Sequence, residues 1–282
     1  MPNTLCVSCN DSDLKLTEKM FSSTNHNIPD WFKKIGNYSL LPPPLNCNPL
    51  FNLYDRTNIT PKFPREYDST LDISTKNLLP GVRDTWIFYW ASRGRNYMKT
   101  SYPSAESAYG AFKNCGLAKL DSSQRVSLRF KNPKPYQVDG TAYPPHIHFV
   151  ALDAETQFWN PKLYTHLITP NIELGLFRSL VASRKYLILN AIPESMGLPV
   201  IPKTHTLAFN TPIHKINNKI QTLADEAELD DEKKITELPI IVYCKNPECD
   251  ASAKLISCLR ELSYINIITF KEGLEAFYDT TY

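Results

Sequence analysis

The sequence predicts a multidomain protein in which an all-β sandwich precedes an α/β domain built on a parallel sheet. This prediction rests on two patterns of apolar and polar residues that follow one another along the 282 residues. Between about 85 and 170, short segments rich in aromatic and β-branched residues alternate with turn-like stretches, a pattern typical of a β-sandwich. Beyond that point, buried-strand patterns alternate with amphipathic helices, which indicates a parallel sheet.

The region before both patterns has no regular period. Residues 1–40 are polar and predict a loosely ordered arm. The proline-rich passage after them cannot be helical, and we assign it to loops of the first domain. We therefore place the domains at 41–170 and 171–282. The arm contains Cys6 and Cys9, whose spacing is either incidental or that of a zinc or redox pair.

The elements of each domain follow from the same patterns. In the first domain we predict strands at "TWIFYW", "VSLRF", "HIHFVAL" and "KLYTHLIT". In the second we predict strands at "KYLILNA", "LPIIVYC" and "INIITF". Helices are predicted at "IHKINNKIQTLADEAEL", at "DASAKLISCLRELSY" with Asp250 as its N-cap, and at "GLEAFYD". The first of these helices has apolar residues at spacings of three and four, namely Ile213, Ile216, Ile220 and Leu223.

Composition narrows the classes of function. The net charge is +2 and no basic stripe is interleaved with aromatics, so we expect no nucleic-acid partner. No apolar run approaches the roughly 20 residues of a membrane span, and the first residues lack the pattern of a signal peptide. The seven cysteines are scattered and odd in number, which favours reduced thiols and a cytoplasmic location. The sequence leaves open whether the chain forms a homo-oligomer.

Two of the six histidines stand two apart in "YPPHIHF". On a β-strand, His146 and His148 would face the same side, away from Ile147 and Phe149. Such a pair is either hydrogen-bonded within the core or part of a metal site, because neutral imidazoles bind iron, copper, zinc and nickel. No Cys, Asp or Glu flanks the pair at a typical spacing. Two tyrosines, Tyr136 and Tyr97, precede the histidine pair in the sequence and are candidate ligands.

Over about 75–170 the sequence resembles the intradiol ring-cleavage dioxygenases. The segments that carry the resemblance are "FYWASRGRNY", "GLAKLDSSQRVSLRFKNPKPY", "YPPHIHFVAL" and "KLYTHLI". The resemblance implies a mononuclear non-haem Fe(III) ion, a catechol-type aromatic diol as substrate, and insertion of O₂ between its two hydroxylated carbons. The ligands that it implies are Tyr97, Tyr136, His146 and His148, with Tyr89, Tyr102 and Tyr109 close to Tyr97 in sequence. The chain departs from the family at Tyr143 and His166, where an arginine and a glutamine are usual. The departures put turnover in question more than iron binding.

Cys244 ends the predicted strand "LPIIVYC", just before a loop and a helix. Open α/β sheets place their sites at this edge, and a helix N-terminus there lowers the pKa of a thiol. The alternative is a buried structural cysteine.

The second domain resembles rhodanese-like domains. The segments that carry the resemblance are "KYLILNA", "THTLAFNTPI", "IIVYC" and "LSYINIITFKEGLEAFYD". The resemblance implies that Cys244 is the catalytic thiol of a sulfurtransferase. Its loop "CKNPECDAS" is similar to the branch with a second cysteine, so Cys249 would form a disulfide with Cys244 or resolve a persulfide. Cys258 is assigned to the core. The family's acidic residue and arginine after the first strand are absent, and Asn190 stands there.

Three hypotheses of function follow. The first is a dioxygenase-like iron protein fused to a rhodanese-like thiol domain. The second is a non-enzymatic structural or interaction protein built from two degenerate enzyme folds. The third is a sulfurtransferase or thiol-redox protein whose sandwich is a scaffold.

Overall fold

The computed structural model of the chain describes residues 64, 67–75, 84–94, 97, 101–110, 113–138, 141–152, 164–229 and 234–279. They fall into two compact units, with the boundary between Ile168 and Thr169, and Tyr97 belongs to the second unit. The predicted arm at 1–40 lies outside the described residues, as do Cys6, Cys9 and Cys47.

The described residues of the first unit lie mainly in antiparallel strands. Its largest sheet has four strands in the order β3-β2-β7-β8, and β1-β4 and β5-β6 form two-stranded sheets. The strands are β1 (Ser69–Ser74), β2 (Trp86–Ala91), β3 (Cys115–Lys119), β4 (Arg125–Phe130), β5 (Tyr136–Val138), β6 (Thr141–Tyr143), β7 (His146–Ala151) and β8 (Tyr164–Leu167). In the described part of this unit, a short helix, α1 (Ala105–Tyr109), lies between β2 and β3.

One apolar core is shared by the four-stranded sheet and the β1-β4 pair. Alternate residues of β2 and β7, among them Tyr89, Ile147 and Phe149, pack in it with Leu128 and Phe130 of β4. Successive side chains of a strand point to opposite faces, so the remaining residues of β7 face away from this core. Two antiparallel sheets over a common core are what a sandwich requires, and the all-β sandwich stays our interpretation of this unit.

The second unit contains a four-stranded sheet in the order β10-β9-β11-β12, in which every pair is parallel. The parallel α/β architecture predicted from the alternation of strand and helix patterns is therefore present. The strands are β9 (Leu187–Asn190), β10 (His205–Thr206), β11 (Ile240–Tyr243) and β12 (Ile267–Phe270). The helices are α2 (Leu174–Ser183), α3 (Ile213–Glu226), α4 (Ala251–Glu261) and α5 (Gly273–Tyr278), with short 3₁₀ turns at Glu194–Met196 and Ile235–Glu237.

Helices cover both faces of this sheet. On one face, α3 and α4 pack against side chains such as Leu189 and Val242, and on the other face α2 and α5 pack against Ile241 and Phe270. Strands buried on both sides read as continuous apolar runs, which is why β9, β11 and β12 were recognisable in the sequence. Helix α2 was not predicted. Ile213, predicted to lie on the apolar face of α3, is exposed at the start of that helix.

The oxidation state of the cysteines differs from the expectation at one position. Cys244, Cys249 and Cys258 are free thiols. Cys115 in β3 is disulfide-bonded, so the expectation that the thiols are reduced is wrong for this residue. In the part of the chain that the structure describes, no helix combines the length and apolar character needed to cross a bilayer.

Candidate metal centre and thiol loop

Four buried aromatic side chains bring their polar atoms together in the first unit. They are two phenols and two imidazoles, from Tyr109 at the end of α1, Tyr136 at the start of β5, and His146 and His148 of β7. The two histidines share the face of β7 that points away from Ile147 and Phe149, as the strand period predicts. The cluster therefore joins one helix and two strands that lie apart in sequence.

Four of the distances between the polar atoms of the cluster lie between 3.1 and 3.3 Å. The Oη atom of Tyr109 lies 3.1 Å from both the Oη atom of Tyr136 and the Nε2 atom of His146. The Nε2 atom of His146 lies 3.3 Å from Tyr136 Oη and 3.1 Å from His148 Nε2. Ligand atoms bound at about 2.0–2.1 Å to a tetrahedral ion stand about 3.3 Å apart, so these spacings match those around a single metal ion.

Hydrogen bonds outside the cluster fix how the imidazoles are oriented. The Nδ1 atom of His146 lies 2.6 Å from the carbonyl oxygen of Pro144, which only accepts, so Nδ1 carries the proton and Nε2 carries a lone pair. The Nδ1 atom of His148 lies 2.9 Å from Thr165 Oγ1. Metal-binding histidines use their second nitrogen in this way; here the bond to Pro144 sets the tautomer of His146, and the bond to Thr165 sets the ring orientation of His148.

Burial keeps all four groups neutral in the protein alone. Desolvation lowers the pKa of His146 to about 4 and moves the pKa of His148 well below its usual value. Desolvation likewise raises the pKa of Tyr109 and of Tyr136. One lone pair of His146 thus faces two phenols and a second imidazole. A cation among them would bind the imidazole nitrogens and favour phenolate over phenol, so the residues present fit a metal ion with nitrogen and phenolate ligands.

Tyr97, implied as the second tyrosine ligand, is not part of this cluster. Its side chain packs among the apolar residues of the second unit, and its carbonyl oxygen accepts a 2.8 Å hydrogen bond from Tyr186. Tyr109 supplies the second phenol instead. Sequence spacing alone does not separate these two tyrosines, because the position of Tyr109 depends on where α1 places its last turn. Among the described residues, no group of three His, Cys, Asp or Glu side chains that could hold a metal ion comes together, so a metal ion at this cluster would need the tyrosines as ligands.

The two departures from the dioxygenase pattern are both buried in the first unit. The ring of Tyr143 stacks on that of Tyr136, with 5.5 Å between ring centroids and 21° between planes. His166 lies in β8, paired across the sheet with Ile147. A tyrosine side chain beside Tyr136 does not supply the positive charge of an arginine.

Cys244 directly follows β11 and is buried. Its Sγ atom lies 3.1 Å from the carbonyl oxygen of Cys249, 3.6 Å from that of Asn246 and 3.3 Å from Ser252 Oγ. Burial is the main cause that raises the pKa of the Cys244 thiol, and the neighbouring Cys249 adds to it. The prediction of a lowered pKa is therefore wrong: burial raises the pKa of the thiol, and the hydrogen bonds from Ser252, which act in the opposite direction, do not offset it.

The start of α5 fixes the loop that contains Cys244. The backbone N–H groups of Leu274 and Glu275 donate to the carbonyl oxygens of Cys244 and Lys245, at 2.9 and 3.0 Å. Gly273 has φ +70°, and a Cβ atom there would lie 2.5 Å from the Cys244 oxygen, so a larger residue would displace the loop. Asp250 is the N-cap residue of α4 but makes no side-chain capping bond; it pairs with Lys254 at 2.8 Å.

We expect alkylation of Cys244 to be slow near neutral pH and to accelerate as the pH rises. Its raised pKa keeps the sulfur protonated to higher pH than an ordinary thiol, whose pKa is about 8.5. Mass-spectrometric alkylation rates over a pH series would measure this. A rate for Cys244 that is already constant from neutral pH upward would contradict the burial argument.

Neither the known protein families nor the curated proteins contain a match to this chain. Among solved structures, the chain is similar to a human single-domain sulfurtransferase, with 14% identity, a TM-score of 0.31, and coverage of 41% of this chain and 100% of that one. It is similar to a single-domain sulfurtransferase of Saccharomyces cerevisiae at 12% identity and a TM-score of 0.32, over 40% of this chain and 92% of that one. Similarity at this level does not assign the chain to a family.

Proposed function

We propose that the first unit binds a mononuclear ferric ion through Tyr109, Tyr136, His146 and His148, and cleaves the ring of a catechol-type diol with O₂. The observation that carries this proposal is a cluster of four buried donor atoms in which four of the interatomic distances are 3.1–3.3 Å. The resemblance of the surrounding sequence to intradiol dioxygenases supports the same ligand types, with Tyr109 in place of Tyr97.

The donor set favours Fe(III) over softer or divalent ions. Two phenolates are hard, anionic oxygen ligands, and they offset two of the three charges of a ferric ion held among buried side chains. Two neutral imidazoles complete the set without adding charge. When bound, the ferric ion would bind the two oxygens of the diol and make its ring reactive toward O₂.

The protein's own residues would hold and enclose this centre. Pro144 and Thr165 orient the imidazoles through their Nδ1 atoms. The ring of Trp90 lies 5.6 Å from that of His148, on the neighbouring strand, and Tyr143 stacks on Tyr136. These aromatic rings exclude water from the two ligands that they cover, which strengthens every electrostatic interaction there.

Loading the purified chain with ferric ion under air would test the proposal. We expect stoichiometric iron, a red-brown colour from tyrosinate-to-iron charge transfer, and O₂ uptake when catechol is added. Iron and colour without O₂ uptake would instead support a metal-binding protein without turnover. Tyr143, which replaces the family's arginine, favours that second candidate.

Thr165→Val should weaken iron binding by about 10- to 100-fold, because the substitution keeps the shape of the side chain and removes the hydroxyl that orients His148. Iron affinity from competition with a chelator would measure the effect. Thr206→Val, on strand β10 of the other unit, is the matched control and should leave the affinity unchanged. Equal affinities of the Thr165 variant and the parent would show that the Thr165 hydroxyl does not position the ligand.

The second unit is a candidate for thiol chemistry, either sulfur transfer or disulfide exchange. The observation that favours it is the location of two free cysteines, Cys244 and Cys249, in one loop after β11, an inner strand of the parallel sheet. Open α/β sheets bind their substrates at this edge. Incubation with thiosulfate and with glutathione disulfide, followed by mass spectrometry of the intact chain, would test both reactions. Absence of any adduct on either cysteine would overturn this proposal.

A further inference from the structure

We infer that Cys249 is the attacking thiol and Cys244 the resolving thiol of a dithiol site that reduces low-molecular-weight disulfides. The inference rests on the thiol function proposed for this loop and names its substrate class. It also reverses the order that the sequence suggests, in which Cys244 reacts first.

The two sulfurs differ in access. Cys244 is 1% exposed and packs in the apolar core beneath the sheet edge, whereas Cys249 is only partly buried at the rim of the same core. Attack on a disulfide requires the thiolate to reach a sulfur atom in line with the bond that breaks. A soluble disulfide therefore reaches Cys249 before it reaches Cys244.

The two cysteines are also neighbours in space. The N–H group of Cys249 donates to the carbonyl oxygen of Asn246 at 3.1 Å, which folds the segment 246–249 into a turn. The turn brings the carbonyl oxygen of Cys249 to 3.1 Å from the Sγ atom of Cys244. The backbone at Cys244 and Lys245 is held by α5, so the motion that closes a disulfide falls on the turn.

The side-chain contacts at the base of the loop do not favour either cysteine as the thiol that attacks a small disulfide. Lys245 pairs with Glu275 at 3.3 Å, and Glu275 also accepts a 3.0 Å hydrogen bond from Asn246. These charges compensate one another at the base of the turn. Access, more than charge, therefore sets the order of the two thiols.

The reaction balances in two exchanges. The thiolate of Cys249 attacks a disulfide RSSR, forms a mixed disulfide with one RS group and releases the other as a thiolate. The thiolate of Cys244 then attacks the Cys249 sulfur, forms the Cys244–Cys249 disulfide and releases the second RS group. The two protein thiols lose two protons and two electrons, and RSSR becomes two molecules of RSH.

The experiment uses the full chain, reduced and then treated with glutathione disulfide, followed by peptide mapping of each cysteine. In the parent we expect the Cys244–Cys249 disulfide. In Cys244→Ser the mixed disulfide should accumulate on Cys249. In Cys249→Ser, Cys244 should carry at least about tenfold less glutathione at early times, because exchange depends on access and on the thiolate fraction.

Cys258→Ser provides the matched control, since Cys258 lies in α4 outside this turn and should not change the products. Because Cys249 is partly exposed, Cys249→Ser tests the order of attack even where Cys244→Ser does not fold. Fast modification of Cys244 in Cys249→Ser would overturn the order while leaving thiol chemistry in place. A parent that carries glutathione on Cys249 without the internal disulfide would overturn the resolving role. No modification of either cysteine would remove the thiol function itself.

Discussion

His146→Ala and His148→Ala should each abolish stoichiometric iron binding. Each imidazole contributes one of the four donor atoms of the proposed ligand set, and alanine removes that atom. The loss of His146 also removes the nitrogen that lies 3.1 and 3.3 Å from the two phenol oxygens. Both side chains lie on the face of β7 opposite Ile147 and Phe149, so the shared apolar core keeps its residues. Metal analysis of protein produced in iron-replete medium would measure the loss.

The matched control for these variants is His205→Ala. His205 lies in the second unit on β10, where it is half-buried and 3.7 Å from Glu226, and its loss removes one histidine without touching the cluster. Iron content should equal that of the parent. Circular dichroism and thermal unfolding would show that each variant folds. If folded His146 and His148 variants keep stoichiometric iron, the metal is bound elsewhere.

Tyr109→Phe and Tyr136→Phe should each shift or bleach the visible charge-transfer band, whereas Tyr97→Phe should leave it unchanged. Phenylalanine keeps the ring packing and removes only the oxygen that would bind iron. Tyr109 and Tyr136 have their hydroxyls 3.1 and 3.3 Å from His146 Nε2, while Tyr97 packs in the other unit. An absorption spectrum of each iron-loaded variant would measure the effect.

The three tyrosine variants also separate the two ligand sets. A bleached band in Tyr97→Phe with an unchanged band in Tyr109→Phe would restore the set implied by the sequence resemblance. Each phenol removed from the cluster also leaves a buried hydrogen-bonding group with one partner fewer, which costs about 1–3 kcal/mol of stability. Thermal unfolding in the absence of iron would show this cost in Tyr109→Phe and Tyr136→Phe.

The sequence by itself determined the features that depend on local periods. The two-residue period of a strand placed His146 and His148 on one side of β7, and the apolar runs of β9, β11 and β12 indicated strands buried on both faces. The alternation of strands and helices after residue 170 was enough for a parallel sheet. The proline turn before Tyr136 made that tyrosine the better-founded of the two predicted phenol ligands.

Tertiary structure decided the rest, because it depends on contacts between segments far apart in sequence. Tyr109 joins the histidines only through the placement of α1, 37 residues before His146, and no local pattern distinguishes it from Tyr97. Likewise, the position of Cys244 after a strand was readable, but the direction of its pKa shift was not. The burial that raises the pKa of this thiol arises only when the loop is folded onto α5. Residue type and spacing indicate which atoms are available for chemistry, whereas packing decides which of them meet and in which protonation state.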